Sequence, residues 1–191
     1  MILYLHGFRS GPDSHKAQLL KARMTELGLR FVCPQLSVEP RDAIALCEEH
    51  IAASETPVTL VGSSLGGYYA TCLAERHGLK AVLVNPVVQA HLALHAQVGP
   101  QTNLFSGETF EFTHVHIAAL HALEVSRVSQ PERYWLLVER GDELLDYRQA
   151  VAKYAGARQT VLAGGDHSFT RWSDYLDEII RYAGEIGRQA I

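Results

Sequence analysis

With 191 residues, 47% of them hydrophobic and 20% charged, the chain can bury one sizeable core and is too apolar to remain disordered. A formal charge of −4 argues against a strong electrostatic hold on nucleic acid or anionic lipid. Three cysteines (Cys33, Cys47, Cys72) cannot all pair and form no C-x-x-C, no apolar run reaches the ~20 residues of a membrane span, and MILYLHGF lacks a basic leader, so a cytoplasmic globule of one domain, residues 1–191, is expected.

In chain order, an apolar run at 2–6 is stopped by Gly7 and predicts the first strand. A helical stripe of Leu19, Leu20, Met24 and Leu27 follows, closed by Gly28. The second strand, 29–33, ends at Pro34, which cannot donate to a ladder, and a second helix is predicted over 43–53 after Pro40. Strand three, 58–61, ends at Gly62 and leads to a helix over 68–77 closed by Gly78. Strand four, 81–84, ends at Asn85-Pro86. Residues 87–131 then carry five of the ten histidines and no convincing strand, and are expected to form an inserted cap at about 86–131. The fifth strand, 134–138, a helix over 146–155, the sixth strand, 159–163, and an amphipathic helix over 172–186 complete the pattern. Apolar runs without polar alternation suit strands covered on both faces. Alternation with helices predicts right-handed βαβ units and a doubly wound, mostly parallel α/β sheet with helices on both faces.

The strongest chemical signal is Gly62-Ser63-Ser64-Leu65-Gly66, a G-x-S-x-G between the third strand and its helix. A serine on such a turn has a strained backbone, and small residues two before and two after it avoid collisions. Ser64 is therefore the candidate nucleophile, and the Leu65 amide at the helix start is a candidate oxyanion donor. A phosphate-binding turn is the plainer alternative, but the stretch fits neither G-x-G-x-x-G nor the Walker pattern. His167, in Gly164-Gly165-Asp166-His167-Ser168, is the candidate base, with Asp166 shaping its loop. Of Glu139, Asp142, Glu143 and Asp146, Asp142 is favoured as the orienting acid because it follows Gly141 directly off the fifth strand. Asp146 is the rival, better suited to capping the next helix. After the first strand, His6-Gly7-Phe8 places Phe8 as the second amide donor, with His6 structural beneath the loop.

The segments LYLHGF, VGSSLGGYYAT, GDELLDYRQAV and GGDHSFT together resemble the YqiA-type bacterial esterases, small members of the α/β-hydrolase superfamily, over nearly the whole chain and least through the cap. The resemblance implies an α/β-hydrolase fold of six strands in the order 2-1-3-4-5-6. It also implies hydrolysis of a small-molecule carboxylic ester or acyl thioester, acyl-CoA compounds among them, without metal or organic cofactor. Substrate contacts are expected at Gly7, Arg9, Ser63 and Tyr68. Arg9, His15 and Lys16 form either a patch for a phosphorylated substrate tail or a solvated helix start. His91 with His95, and His114 with His116, lack a metal-site signature and read as core or solvated histidines, with no metal expected. A non-catalytic acyl- or lipid-binding protein on the same fold, or a triad hydrolase acting on peptide or carbon–carbon bonds, remains as an alternative.

Overall fold

A computed structural model describes residues 1–184. In chain order its elements are β1 (Ile2–Leu5), α1 (His15–Glu26), β2 (Phe31–Val32), α2 (Pro40–Ala52), β3 (Thr59–Ser63), α3 (Leu65–His77), β4 (Lys80–Val84), α4 (Ala90–Ala93), β5 (Gly99–Thr102), β6 (Thr109–Phe112), α5 (His114–Ala122), β7 (Tyr134–Glu139), α6 (Tyr147–Lys153), β8 (Arg158–Leu162) and α7 (Leu176–Ala183). Among the described residues no helix is long and apolar enough to cross a membrane.

Six strands form one parallel sheet in the order β2-β1-β3-β4-β7-β8. With the 86–131 segment set aside, this is the expected order 2-1-3-4-5-6 of an α/β-hydrolase sheet. The inner strands β1, β3, β4 and β7 are mostly apolar because both their faces are covered, whereas the edge strand β8 carries Arg158, Gln159 and Thr160. Leu3, Leu5, Leu60, Leu83 and Leu136 point to one side, where Ile44, Cys47, Leu73, Ala150 and Tyr154 pack on them. Ile2, Tyr4, Val61, Val82 and Trp135 point to the other, against Leu20 and Met24 of α1 and Ile179 and Ile180 of α7. The strand period of two thus splits consecutive residues between two cores, each fully buried large side chain contributing about 1.5–3 kcal/mol.

Several boundaries shift for local reasons. β2 pairs only two residues with β1, because it is an edge strand whose run is ended by Pro34. α2 begins at Pro40 rather than after it: proline suits the first helical position, where its missing N–H has no partner to lose, and the Glu39 carboxylate accepts from the Arg41 amide. α3 starts at Leu65, directly on the serine turn, and the last predicted helix divides into a 3-10 turn over Trp172–Tyr175 and α7. Positions 185 and 186 of that prediction lie outside the described residues.

The expectation that the 86–131 segment holds no strand is corrected by the structure. β5 and β6 pair antiparallel from Gly99↔Phe112 to Thr102↔Thr109. The tip is tied by Asn103, whose Oδ1 accepts from the Phe105 and Ser106 amides at 2.9 and 3.0 Å. The ribbon is held by Phe110 and Phe112, which meet the Phe8 ring edge-on at centroid distances of 5.9 and 4.9 Å.

Candidate active site

Four connections at the carboxyl edge of the sheet build one site. At the end of β3 the chain turns sharply into α3, and Ser64 takes φ 56° and ψ −120°, a conformation that an L residue occupies only under strain. The turn is fixed on both sides: the Ser64 amide donates to Val84 O at 3.0 Å, and the Val87 amide donates to Ser64 O at 3.1 Å. It also requires glycine. A Cβ on Gly66 would lie 1.9 Å from Leu5 O, and one on Gly62 would lie 2.3 Å from Gly66 O.

His167 and Asp142 meet this serine. His167 Nε2 is 3.0 Å from Ser64 Oγ, and Nδ1 is 2.9 Å from Asp142 Oδ2. The Asp142 side chain is 2% exposed, and its other oxygen accepts from the Leu144 and Leu145 amides at 2.9 Å each. A buried carboxylate so held accepts the Nδ1–H, which leaves Nε2 to accept from the serine hydroxyl. Asp146 is elsewhere: it caps α6, accepting from the Arg148 amide at 3.0 Å. Asp166 turns inward on its own loop, accepting from the Ser168 amide at 2.8 Å and from the Ser168 hydroxyl, and these bonds hold its carboxyl below the usual range.

The loop after β1 lies beside the serine. A Cβ on Gly7 would stand 3.3 Å from Ser64 Cβ and 3.7 Å from its Oγ, so the Gly7–Phe8 turn borders the place where a reacting carbonyl would sit. Leu65 begins α3, where the first amides have no partner within the helix. His6 is buried under the loop: Nε2 accepts from the Leu36 amide at 3.0 Å, and Nδ1 contacts Gly7 O at 3.0 Å.

A cavity of about 1010 Å³ opens over these groups, lined among others by Gly7, Arg9, Ser63, Ser64, Leu94 and His167. A second, of about 520 Å³, shares Gly7, Phe8 and Arg9 and is walled by Leu65, Tyr69 and Phe110. Tyr68, expected to contact substrate, lines neither. It is 2% exposed, and its hydroxyl donates to Leu120 O at 2.6 Å, so the ring serves as a post between α3 and α5. The basic patch is likewise engaged. Arg9, at φ 54°, donates to Gln101 Oε1 at 3.1 Å, and Lys16 donates to Ser168 O at 2.7 Å, its ammonium pushed below its ordinary pKa by burial. The histidines of 86–131 pair differently from the sequence spacing: His91 lies tilted against His121, and His95 against His114. The cysteines are free thiols, with burial pushing Cys33 and Cys47 up to about 12, so neither offers a thiolate at neutral pH.

Two supporting residues had only faint sequence signals. The Glu139 carboxylate, wholly buried at the end of β7, accepts from the amides of Asp166, Thr170 and Arg171 and from the Thr170 hydroxyl, at 2.8–3.1 Å. Asn85, at φ 39° after β4, donates to Asp166 O at 3.0 Å and His167 O at 3.3 Å while accepting from the Glu139 amide at 3.0 Å. Together they hold the loop that carries His167. Asn85 was legible only as a strand stop and Glu139 only as a spare carboxylate.

Residues 1–184 match the family described as Uncharacterised protein family (UPF0227). A UPF0227 protein of Vibrio vulnificus is 24% identical over 184 residues, covering 94% of this chain and 96% of its own length. Among solved structures, the mouse α/β-hydrolase domain-containing protein 10 superposes with a TM-score of 0.72 at 16% identity, over 97% of this chain and 90% of that one. The esterase domain of a Rhodothermus marinus protein gives 0.70 at 16% identity, over 96% and 86%. At such identities the likeness establishes the α/β-hydrolase fold.

Proposed function

The chain belongs to the UPF0227 family and has the α/β-hydrolase fold, and on that premise we propose that it is a serine hydrolase cleaving small carboxylic esters or acyl thioesters. The observation that carries this reading is the file of contacts Asp142–His167–Ser64, at 2.9 and 3.0 Å, beneath an open cavity. In the proposed reaction Ser64 Oγ attacks the acyl carbon as His167 Nε2 takes its proton. The amides of Phe8 and Leu65 stabilise the charge that develops on the carbonyl oxygen. Collapse of the tetrahedral species breaks the bond to the alcohol or thiol, which leaves with the proton from His167. Water, deprotonated by the same nitrogen, then attacks the acyl-enzyme, and its collapse returns free acid and Ser64. Asp142 fixes the imidazole tautomer and balances the imidazolium in both halves.

The cavity's apolar rim suits an acyl chain. Leu104, Phe105 and Leu144 line it and are 68%, 50% and 67% exposed, an arrangement that covers a hydrocarbon substrate at little cost. Residues 86–131 act as the cap that bears Leu104 and Phe105, and the loop after β7 adds Leu144.

The test is turnover of p-nitrophenyl esters and acyl-CoA thioesters over a range of chain lengths, with fluorophosphonate labelling alongside. Ser64→Ala is expected to lose about 10⁴-fold or more of turnover and all labelling, and Asp142→Asn about 10⁴-fold in kcat. Labelling that persists without Ser64, or parent-like turnover by Ser64→Ala, overturns the assignment. Labelling without turnover on any ester or thioester moves the substrate to another bond.

A further inference from the structure

Three side chains converge away from the proposed chemistry. His91 stands on α4, His121 in the last turn of α5, and Glu124 just beyond that helix. One ligand atom of each can be chosen so that all lie within 4.8 Å of one another. His91 Nδ1 is buried 3.1 Å from Glu124 Oε2, yet the pair lacks the direction of a hydrogen bond, so a buried ring nitrogen faces a carboxylate without sharing a proton along that line. The imidazoles of His91 and His121 are tilted by 38° with centroids 4.3 Å apart.

Two imidazoles and one carboxylate form the donor set chosen by zinc and the neighbouring divalent transition cations. Donors about 2.0–2.2 Å from a common ion, at angles between octahedral and tetrahedral, stand roughly 2.8–3.6 Å apart, and the 3.1 Å between Nδ1 and Oε2 falls in that interval. The local backbone helps. His121 and Glu124 are spaced i and i+3, on one face of a helical turn, and the Glu124 amide donates to His121 O at 3.1 Å to keep them there. His121 is exposed, so its side chain is free to rotate over the remaining gap. Hydrolysis as proposed makes no use of this cluster.

We propose that His91, His121 and Glu124 bind one divalent transition cation of the zinc class, with water completing its coordination. The ion links α4 to the end of α5. Because Ala93 and Leu94 adjoin His91 and line the cavity over Ser64, the ion stiffens one wall of that cavity without touching substrate. One group works against it: the Lys153 ammonium interacts with the Glu124 carboxylate while donating to Val88 O at 3.3 Å. This proposal departs from the sequence expectation of no metal, because the spacing of His91 and His95 pointed away from the partners that the fold supplies.

Chelator-stripped full-length protein, titrated with zinc chloride against a chromophoric chelator, tests this. One equivalent is expected, with affinity lowered about 100-fold or more in His91→Ala and in Glu124→Gln, unchanged in His114→Ala, and raised severalfold in Lys153→Met. Cobalt(II) should give d–d absorption in the parent that His91→Ala lacks. Zinc binding by the parent no tighter than by a His91→Ala/Glu124→Gln double variant, or parental affinity in either single variant, overturns the proposal. Far-UV circular dichroism checks folding, and the near-isosteric Glu124→Gln serves if His91→Ala does not fold. Ser64→Ala should bind zinc like the parent, so loss of the hydrolase reading and loss of the metal reading remain distinguishable.

Discussion

The His6 ring is committed to the backbone at both nitrogens, to the Leu36 amide and to Gly7 O. Burial lowers its pKa below the ordinary 6.5, so the ring stays neutral in the fold under conditions where the unfolded chain takes up a proton. The sign follows. Above pH 6.5 neither state is protonated and the contribution is complete. As pH falls below that value the unfolded state binds the extra proton, and stability drops by at most about 1.4 kcal/mol per pH unit until the folded pKa is reached. Parent and His6→Gln, compared by urea midpoint between neutral pH and mildly acid pH, should draw together as pH falls. A constant gap would refute the assignment. The role of His6 beneath the loop was legible from its place after the first strand. The role of Tyr68 was not, because a residue one turn past Ser64 can face either the cavity or the neighbouring helix, and only the Leu120 carbonyl decides.

At the scale of elements, the loop bearing His167 is set by the ends of two strands rather than by its own sequence. Four donors converge on Glu139 of β7. Replacing it by alanine strands the half-buried Asp166 amide and leaves those of Thr170 and Arg171, on exposed residues, to water, and Glu139→Ala should cost about 1–3 kcal/mol of unfolding free energy, read from urea denaturation. Glu139→Gln keeps part of the network and should recover part of that loss. If both variants match the parent in stability, Glu139 does not organise the loop. The main strands were legible because residues buried on both faces leave unbroken apolar runs. The β5–β6 ribbon was not: it has one covered face, its buried side rests on two phenylalanines, and it opens with Gly99-Pro100, which reads as a turn. The pairing itself depends on Phe8, some hundred residues earlier in the chain.

For the whole molecule, two cores on opposite faces of one sheet carry the stability, and the groups of the proposed reaction stand along a single edge between them. The G-x-S-x-G turn together with chain order pointed to Ser64, Asp142 and His167 as one proposed set, since each follows a strand and a parallel sheet brings all its strand ends to one side. The His91, His121 and Glu124 cluster was beyond such reasoning, because it depends on how two helices of the cap lie together.

The serine turn has a consequence for stability under selection. At φ 56° Ser64 stores strain of about 1–3 kcal/mol that the rest of the fold offsets. Ser64→Gly should release most of it, give back about 0.4–1 kcal/mol to unfolded-chain entropy, and melt about 2–4 °C above the parent in calorimetry, while losing the proposed hydrolysis. A Ser64→Gly variant melting at or below the parent would show that the turn carries no such load. If it melts higher, screening for heat resistance alone would drive this chain toward an inert protein, and only a simultaneous demand for turnover would keep the serine.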